Sequence, residues 1–264
     1  MNPAPAIVPV APRLLRWQDV VAFVGPLGAV GVHEHRAAAL LLGLDGPFRI
    51  RRADGRWLAC EGALLAAGLP HELDCGERSL AVVYFDPLVH GPLLAPGSIV
   101  PAPANAAWLR RGREAVLQLL ADPVADGKRL RELLLEDLLP RAGHAASGLR
   151  DGRLRELQAM LDDAAASSLS LPQLARRLGL SDSRFSHLFS GRTGVSWTAY
   201  RNWTRLLDSC GAMAQTPEVL TRIALDRGYS SPAHFAASFR AGFGITPTQL
   251  RRMQPRFDRL AADF

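Results

Sequence analysis

The sequence predicts an α+β protein of two domains: a β-rich N-terminal half closing into a small barrel and followed by helices, then an all-α half with two helix-turn-helix units joined by a long helix. Three observations carry this. Short apolar runs punctuated by glycines fill about residues 20–87, capped helical periodicity fills the chain beyond about 147, and one helical pattern occurs twice in that second part. The expected domains are 1–146 and 147–264.

A chain of 264 residues can bury two cores, and 48% hydrophobic with 21% charged residues describes a folded protein without a long disordered tail. The start, MNPAPAIVPVAPRLL, lacks a charged segment leading into an apolar core, and no apolar run approaches the length of a membrane span. A cytoplasmic protein with no membrane association is expected. Cys60, Cys75 and Cys210 are far apart and outside any C-x-x-C pattern, so they read as reduced core thiols.

The β elements are expected at VVAFV, AAALLLGL, PFRIRR, RWLAC and LAVVYFD, between Val20 and Asp86. A proline-rich passage, Pro87 to Asn105, follows. Ala106 to Ala146 reads as helical, and its leucines, including the LRELLLEDLL cluster at Leu130–Leu139, suit an intradomain core or a dimer seam. The small, polar segment Gly143–Gly152 is the expected domain boundary.

Beyond it, Ser170-Leu-Pro-Gln173 forms a capping-box signature, Gly179 stops that helix, and Ser181 caps the next, with Phe185, Leu188 and Phe189 on one face. Thr216-Pro217 is expected to open a further helix that Gly228 ends. Ser231-Pro232 opens its partner, carrying Phe235, Phe239 and Phe243. Ala175 and Gly179 recur as Ala224 and Gly228 at an offset of 49, whereas Phe185, Phe189 and Gly194 recur as Phe235, Phe239 and Gly244 at 50. One residue is therefore added inside the second turn. These are two helix-turn-helix units, about 171–190 and 218–241, joined by a helix from Trp197 to Met213 in which Gly211 marks a kink.

The net charge of +6 is unevenly spread. Residues 1–150 carry 16 basic and 15 acidic side chains, 151–264 carry 15 and 10, and 165–256 hold 12 arginines against Asp182, Asp208, Glu218 and Asp226. Such a segment suits a polyanionic partner. In a helix-turn-helix unit the second helix enters the major groove, so it needs one apolar face for support and one short polar face for base edges. Opposite Phe185 and Phe189 stand Ser183, His187 and Ser190, flanked by Arg184 and Ser186.

From Leu154 to Met253 the chain resembles the AraC family of bacterial transcription regulators, through LPQLARRLGLSDSRFSHLFSGRTG, Tyr200 and Arg205, and IALDRGYSSPAHFAASFRAGFGITPTQLR with Gly244, Pro247 and Arg251. The resemblance implies reading helices in successive major grooves of double-stranded DNA. It also implies base contacts at Ser183, Ser186 and His187 and phosphate contacts at Arg192 and Thr193, with Ser181, Arg184, Ser190 and Arg205 in the same interface. The second reading helix departs from the pattern, presenting Ala233, Ala237 and Arg240, with alanine where the family often has arginine at 237. Alanine meets a thymine methyl but cannot grip guanine, so this unit is expected to anchor phosphates through Ser230, Ser231, His234 and Arg240 while the first discriminates sequence.

In GVHEHRAAALLLGLDG, His33 and His35 point the same way if they lie on a strand, and GLPHEL supplies His71. His-x-His with a distant third histidine resembles the cupin motif, and GALLAAGLPHEL followed by LAVVYFDP resembles the cupin-like sensor domains that precede AraC-type domains. Metal-binding cupins usually add a glutamate soon after the second histidine, where Ala37, Ala38, Ala39 and Leu40 stand here. The three histidines are thus candidates for a ligand pocket, for a three-imidazole divalent-metal site, or for plain structural roles.

The expected function is a DNA-binding transcription regulator responding to a small-molecule effector through its barrel, without catalysis and with no cofactor beyond that metal. Homodimerisation and contact with RNA polymerase are expected from the same resemblance. Activation and repression remain equally open. The alternative from another class is a metal-dependent cupin-type enzyme, although no carboxylate, activated nucleophile or phosphate-cradling loop reinforces it. Methyl-transfer repair is disfavoured because the cysteines lack ligand spacing.

Overall fold

The computed structural model describes residues 10–17, 19–52, 55–102, 106–121, 151–162 and 169–260. The N-terminal strands are β1 (Arg13–Arg16), β2 (Val20–His33), β3 (Ala38–Gly43), β4 (Phe48–Arg52), β5 (Leu58–Cys60), β6 (Gly62–Leu65), β7 (His71–Phe85) and β8 (Ile99–Pro101). They form one sheet along the path β8-β6-β3-β7-β2-β1, and a strand from the far end of the chain extends it.

Two long antiparallel strands organise this sheet. β2 and β7 pair from Val20–Phe85 to His33–His71, and β7 changes its other neighbour partway: residues 80–85 pair with β3, residues 71–74 with β4. The change occurs where Gly76 and Glu77 take positive φ (55° and 63°), which bends the strand. Asp45 holds the corner by accepting the Ser79 N–H on its carboxylate (3.1 and 3.0 Å). The lower halves of β2 and β7, ending in His33 and His71, lie beyond this bend.

All six residues of β3 are buried, so its unbroken apolar run has both faces covered. Leu41 and Val82 point to one side and Leu40, Leu42 and Val83 to the other. The second side is closed by α2 (Ala107–Ala121), which buries Leu109, Ala115, Val116 and Leu119 and sets Gly112 against Leu42. A short helix, α1 (Pro87–His90), capped by Asp86, follows β7. The Leu130–Leu139 cluster and most of the expected boundary lie outside the described residues. Gly152, placed by the sequence in that boundary, instead begins α3 (Gly152–Asp162).

The C-terminal helices are α4 (Leu171–Arg177), α5 (Asp182–Thr193), α6 (Trp197–Gln215), α7 (Leu220–Asp226), α8 (Pro232–Phe243) and α9 (Pro247–Arg252). Three expectations need correction. Thr216 ends α6, its N–H and hydroxyl both donating to the Ala212 carbonyl, so α7 starts only after Val219. Gly211 makes no kink: α6 runs unbroken, and the missing side chain makes room for the Phe257 ring, which a Cβ would approach to 3.2 Å. Finally, the chain does not stay helical. β9 (Arg256–Arg259) pairs in parallel with β1, Arg13 opposite Arg256, and completes the nine-stranded sheet.

The first helix-turn-helix unit has its own core, in which Phe185, Phe189, Trp197 and Tyr200 pack with Leu154 and Leu157 of α3 and Leu88 of α1. The second has none of its own. Phe235, Phe239, Ile223, Trp203 and Leu206 belong to one continuous cluster with Leu41, Leu73, Val82 and Tyr84 of the sheet. Cys60, Cys75 and Cys210 are free and buried, and burial pushes the Cys60 and Cys75 thiols up to about 11 and about 12. Among the described residues, no helix is long and apolar enough to cross a membrane.

Candidate nucleic-acid interface and interdomain pocket

Both turns are built by the same hydrogen bonds. In the first, Gly179 takes φ +66° and the Leu180 N–H donates to the Ala175 carbonyl (2.8 Å); in the second, Gly228 takes φ +74° and the Tyr229 N–H donates to Ala224 (3.0 Å). Each bond reaches back across the helix end, and only glycine enters the left-handed turn without cost. Ser181 then caps α5 through the Arg184 N–H and Ser231 caps α8 through the His234 N–H. The added residue is Ser230, whose hydroxyl lies 2.9 Å from His234 Nδ1. Ala175 and Ala224, both fully buried, let each helix pair cross closely.

The outer face of α5 carries Ser183, Arg184, Ser186 and His187, all exposed, with Arg192 exposed in its last turn. Ser190 is half-buried, and its hydroxyl donates to the Ser186 carbonyl (2.7 Å). Ser186 donates likewise to Asp182 (2.9 Å), so both hydroxyls are oriented and offer lone pairs outward. Thr193 corrects the expected phosphate set. It is 1% exposed, and its hydroxyl is shared between the Phe189 and Val195 carbonyls, so it closes the helix end. Arg205 is also held inside the domain, half-buried, with its guanidinium near the Gly228 carbonyl (3.4 Å) and over the Tyr229 ring.

On α8, Ala233, His234, Ala237 and Arg240 are exposed and Ser231 is half-buried as the cap. Both reading helices end in a left-handed glycine that abuts the N-terminal half. A Cβ on Gly194 would come 3.1 Å from Pro92, whereas one on Gly244 would come 2.5 Å from the Gly31 carbonyl. At the second junction the Gly31 N–H donates to Gly244 (3.2 Å) and the Glu34 N–H to Ala241 (3.0 Å).

Beside this junction a cavity of ≈ 60 Å³ opens between the halves. Leu27, Val30, Leu73 and Tyr84 line it from the sheet, and Leu207, Phe239 and Phe243 from the helices. His33 and His35 border it, and His71 stacks against both at ring separations of 4.3 and 4.8 Å. The structure thus gathers the three expected histidines, although His35 follows β2 instead of lying on it. All three are buried. Burial, then the neighbouring His71, lowers His33 to about 3; burial holds His35 well below its ordinary value and lowers His71. All three rings are therefore neutral near pH 7. Tyr84, Phe239 and Phe243 escaped sequence reasoning as pocket residues. Helical spacing marks the phenylalanines as buried but does not say against what.

Residues 174–253 match the family described as helix-turn-helix domain. The C-terminal part thus carries a helix-turn-helix domain. The chain is 32% identical over 118 residues to an uncharacterized HTH-type transcriptional regulator of Staphylococcus aureus, an alignment covering 44% of this chain and 16% of that protein. It is 30% identical over 102 residues to the HTH-type transcriptional activator RhaS of Escherichia fergusonii, covering 39% of this chain and 37% of that one. The chain thus spans only about a sixth and about a third of the length of these two relatives. Over the whole chain, the fold is similar to ToxT of Vibrio cholerae, with a TM-score of 0.61 and 11% identity, covering 90% of this chain and 99% of that one. A second ToxT structure, bound to an unsaturated fatty acid, matches at 0.58 and 10%, covering 89% and 95%.

Proposed function

We propose that the chain is a sequence-specific, double-stranded-DNA-binding transcription regulator, non-enzymatic, whose affinity for DNA is adjusted by a small molecule in the interdomain pocket. The observation that carries this reading is the exposed, oriented face of Ser183, Arg184, Ser186 and His187 on the second helix of an AraC-type unit, within a segment where arginines outnumber acids. Arg192, Ser230, His234 and Arg240 are the proposed phosphate contacts, and α5 the principal reader.

The pocket supports the effector half of the proposal, because both the sheet and α8 line it and an occupant would bear on the second reading helix. Its size limits the occupant. At roughly 15 Å³ per water, ≈ 60 Å³ holds a few waters or a small ligand. A chain as long as the fatty acid bound to ToxT would need the walls to part. Pairing of two copies and contact with RNA polymerase complete the proposal, and light scattering of the purified chain tests the first.

The decisive experiment selects fragments retained by the full chain from a random duplex library. Enrichment of one motif is expected, with log affinity falling against log salt at a slope of about −4 to −6, as for roughly five or six neutralised phosphates. No enrichment, or binding insensitive to salt, would overturn the reading.

A further inference from the structure

The three histidines beside the pocket leave a hydrogen-bonding problem that the chain does not solve internally. His33 Nδ1 sits 2.8 Å from the Gly31 carbonyl and His71 Nδ1 2.8 Å from the Leu69 carbonyl. A carbonyl only accepts, so each Nδ1 carries the proton and each Nε2 is left with a bare lone pair. His71 Nε2 is buried with no partner. An unmatched buried acceptor is unfavourable, and the Tyr84 hydroxyl near the group lies by His35 Nε2.

We propose that His33, His35 and His71 bind one divalent transition-metal ion of the zinc class, and that this ion is an effector of the regulator. The metal-ligating nitrogens of the three already lie within 4.8 Å of one another. Metal–nitrogen bonds of about 2.0–2.1 Å require roughly 3.3 Å between ligands, a change reachable by small ring rotations. Anchoring of Nδ1 by a backbone carbonyl is the outer support that metal-bound histidines commonly have, fixing both tautomer and ring direction. His35 Nε2 lies 3.4 Å from the Tyr84 hydroxyl; if the ring donates there, Nδ1 is the ligand.

The donor set selects the ion. Three neutral imidazoles without a thiolate or carboxylate suit zinc, cobalt, nickel or copper and not magnesium or calcium, which want oxygen. Three protein ligands leave a fourth position open, and the adjoining cavity has room there for water or a small anion. The ion would also act on α8. It grips His33, whose ring is bonded to the Gly31 carbonyl, while the Gly31 N–H holds the carbonyl of Gly244 at the end of that reading helix. The effector role rests on the regulator reading above; the binding site does not.

The full chain, stripped with a chelator, is titrated with Co²⁺ and then Zn²⁺. One Co²⁺ per chain with the visible absorption of a four-coordinate ion is expected, displaced by Zn²⁺ and untouched by excess Mg²⁺. His33→Gln and His71→Gln should each weaken binding at least about 10-fold, and Tyr84→Phe much less. No four-coordinate absorption from the wild type, or undiminished binding in both glutamine variants, overturns the site. Should those variants misfold, X-ray absorption of the zinc-loaded wild type decides: a three-imidazole shell is expected, and sulfur or fewer than two imidazoles overturns it. DNA affinity measured with and without Zn²⁺ separates the two claims. Equal affinity removes the effector role, and a chain that takes up the ion but binds no duplex sinks only the regulator reading.

Discussion

The two helix-turn-helix units share turn, cap and phenylalanine pair, yet they are supported in opposite ways. The first packs Phe185 and Phe189 into a separate core to which Leu88 of α1 contributes, and it also meets the N-terminal half where the Tyr200 hydroxyl donates to Asp86 (3.2 Å) and Gly194 lies against Pro92. The second has its phenylalanines inside the cluster that fills the sheet. Duplication of a motif therefore did not duplicate its mechanics. The unit with the richer polar reading face is nearly self-supporting, and the one with Ala233 and Ala237 is fused to the pocket.

Truncating one phenylalanine in each unit should break this comparison most visibly. Phe189→Ala and Phe239→Ala are each expected to cost about 3–5 kcal/mol. Hydrogen exchange should show the first loosening α1, α3 to α5 and the start of α6 while sparing β2 and β7, and the second loosening β2 and β7. Identical exchange maps would mean the cores are not separate. The terminal glycines come next. Gly194→Ala should cost about 1–2 kcal/mol for its left-handed backbone, and Gly244→Ala about 2–4, because its Cβ meets the Gly31 carbonyl and Val30. Denaturant midpoints check this, and equal losses would deny the tight junction.

Acidity should act on the first unit's junction. Burial raises Asp86 to about 6 from its ordinary 3.8, against the hydrogen bonds from Leu88 and Tyr200 and the nearby His90, with Asp19 adding to the rise. A raised folded value means the group favours the fold when protonated, and that contribution is lost as pH rises through about 6. Relative to wild type, Asp86→Asn should therefore gain up to about 3 kcal/mol between pH 4 and pH 7. A pH-independent difference would show that Asp86 is not buried. The smallest effects concern DNA. Arg184→Ala or His187→Ala should lower affinity for the selected motif by about 1–3 kcal/mol with little change on random duplex, while Arg240→Ala should weaken both equally. Equal base sensitivity in both half-elements would refute the division of labour.

What was legible in the sequence was local. Ser170, Ser181 and Ser231 as caps and Gly179 and Gly228 as stops depend on a few neighbouring residues, and all five stand where the pattern put them. The failures are tertiary. Thr216-Pro217 looks like a helix start because Pro suits a first turn, but the Thr216 side chain serves the helix before it. Thr193 looks like a phosphate ligand, and Arg205 like part of the DNA interface, until the packing around the C-cap and Tyr229 is known. The three histidines could be grouped by the resemblance to the cupin motif, whereas the wall of Leu207, Phe239 and Phe243 beside them depends on how α6 and α8 meet the sheet.

β9 lies beside β1 although nearly the whole chain separates them. During synthesis β1 therefore waits, one edge bare, until the final strand has emerged, so the β half cannot reach its finished form before the DNA-reading helices exist. A fragment cut between the two halves would expose that edge on one piece and leave β9 without its partner strand on the other, inviting aggregation of both. The molecule is in this sense a clasp, and severing it should yield two poor fragments rather than a free sensor and a free reader.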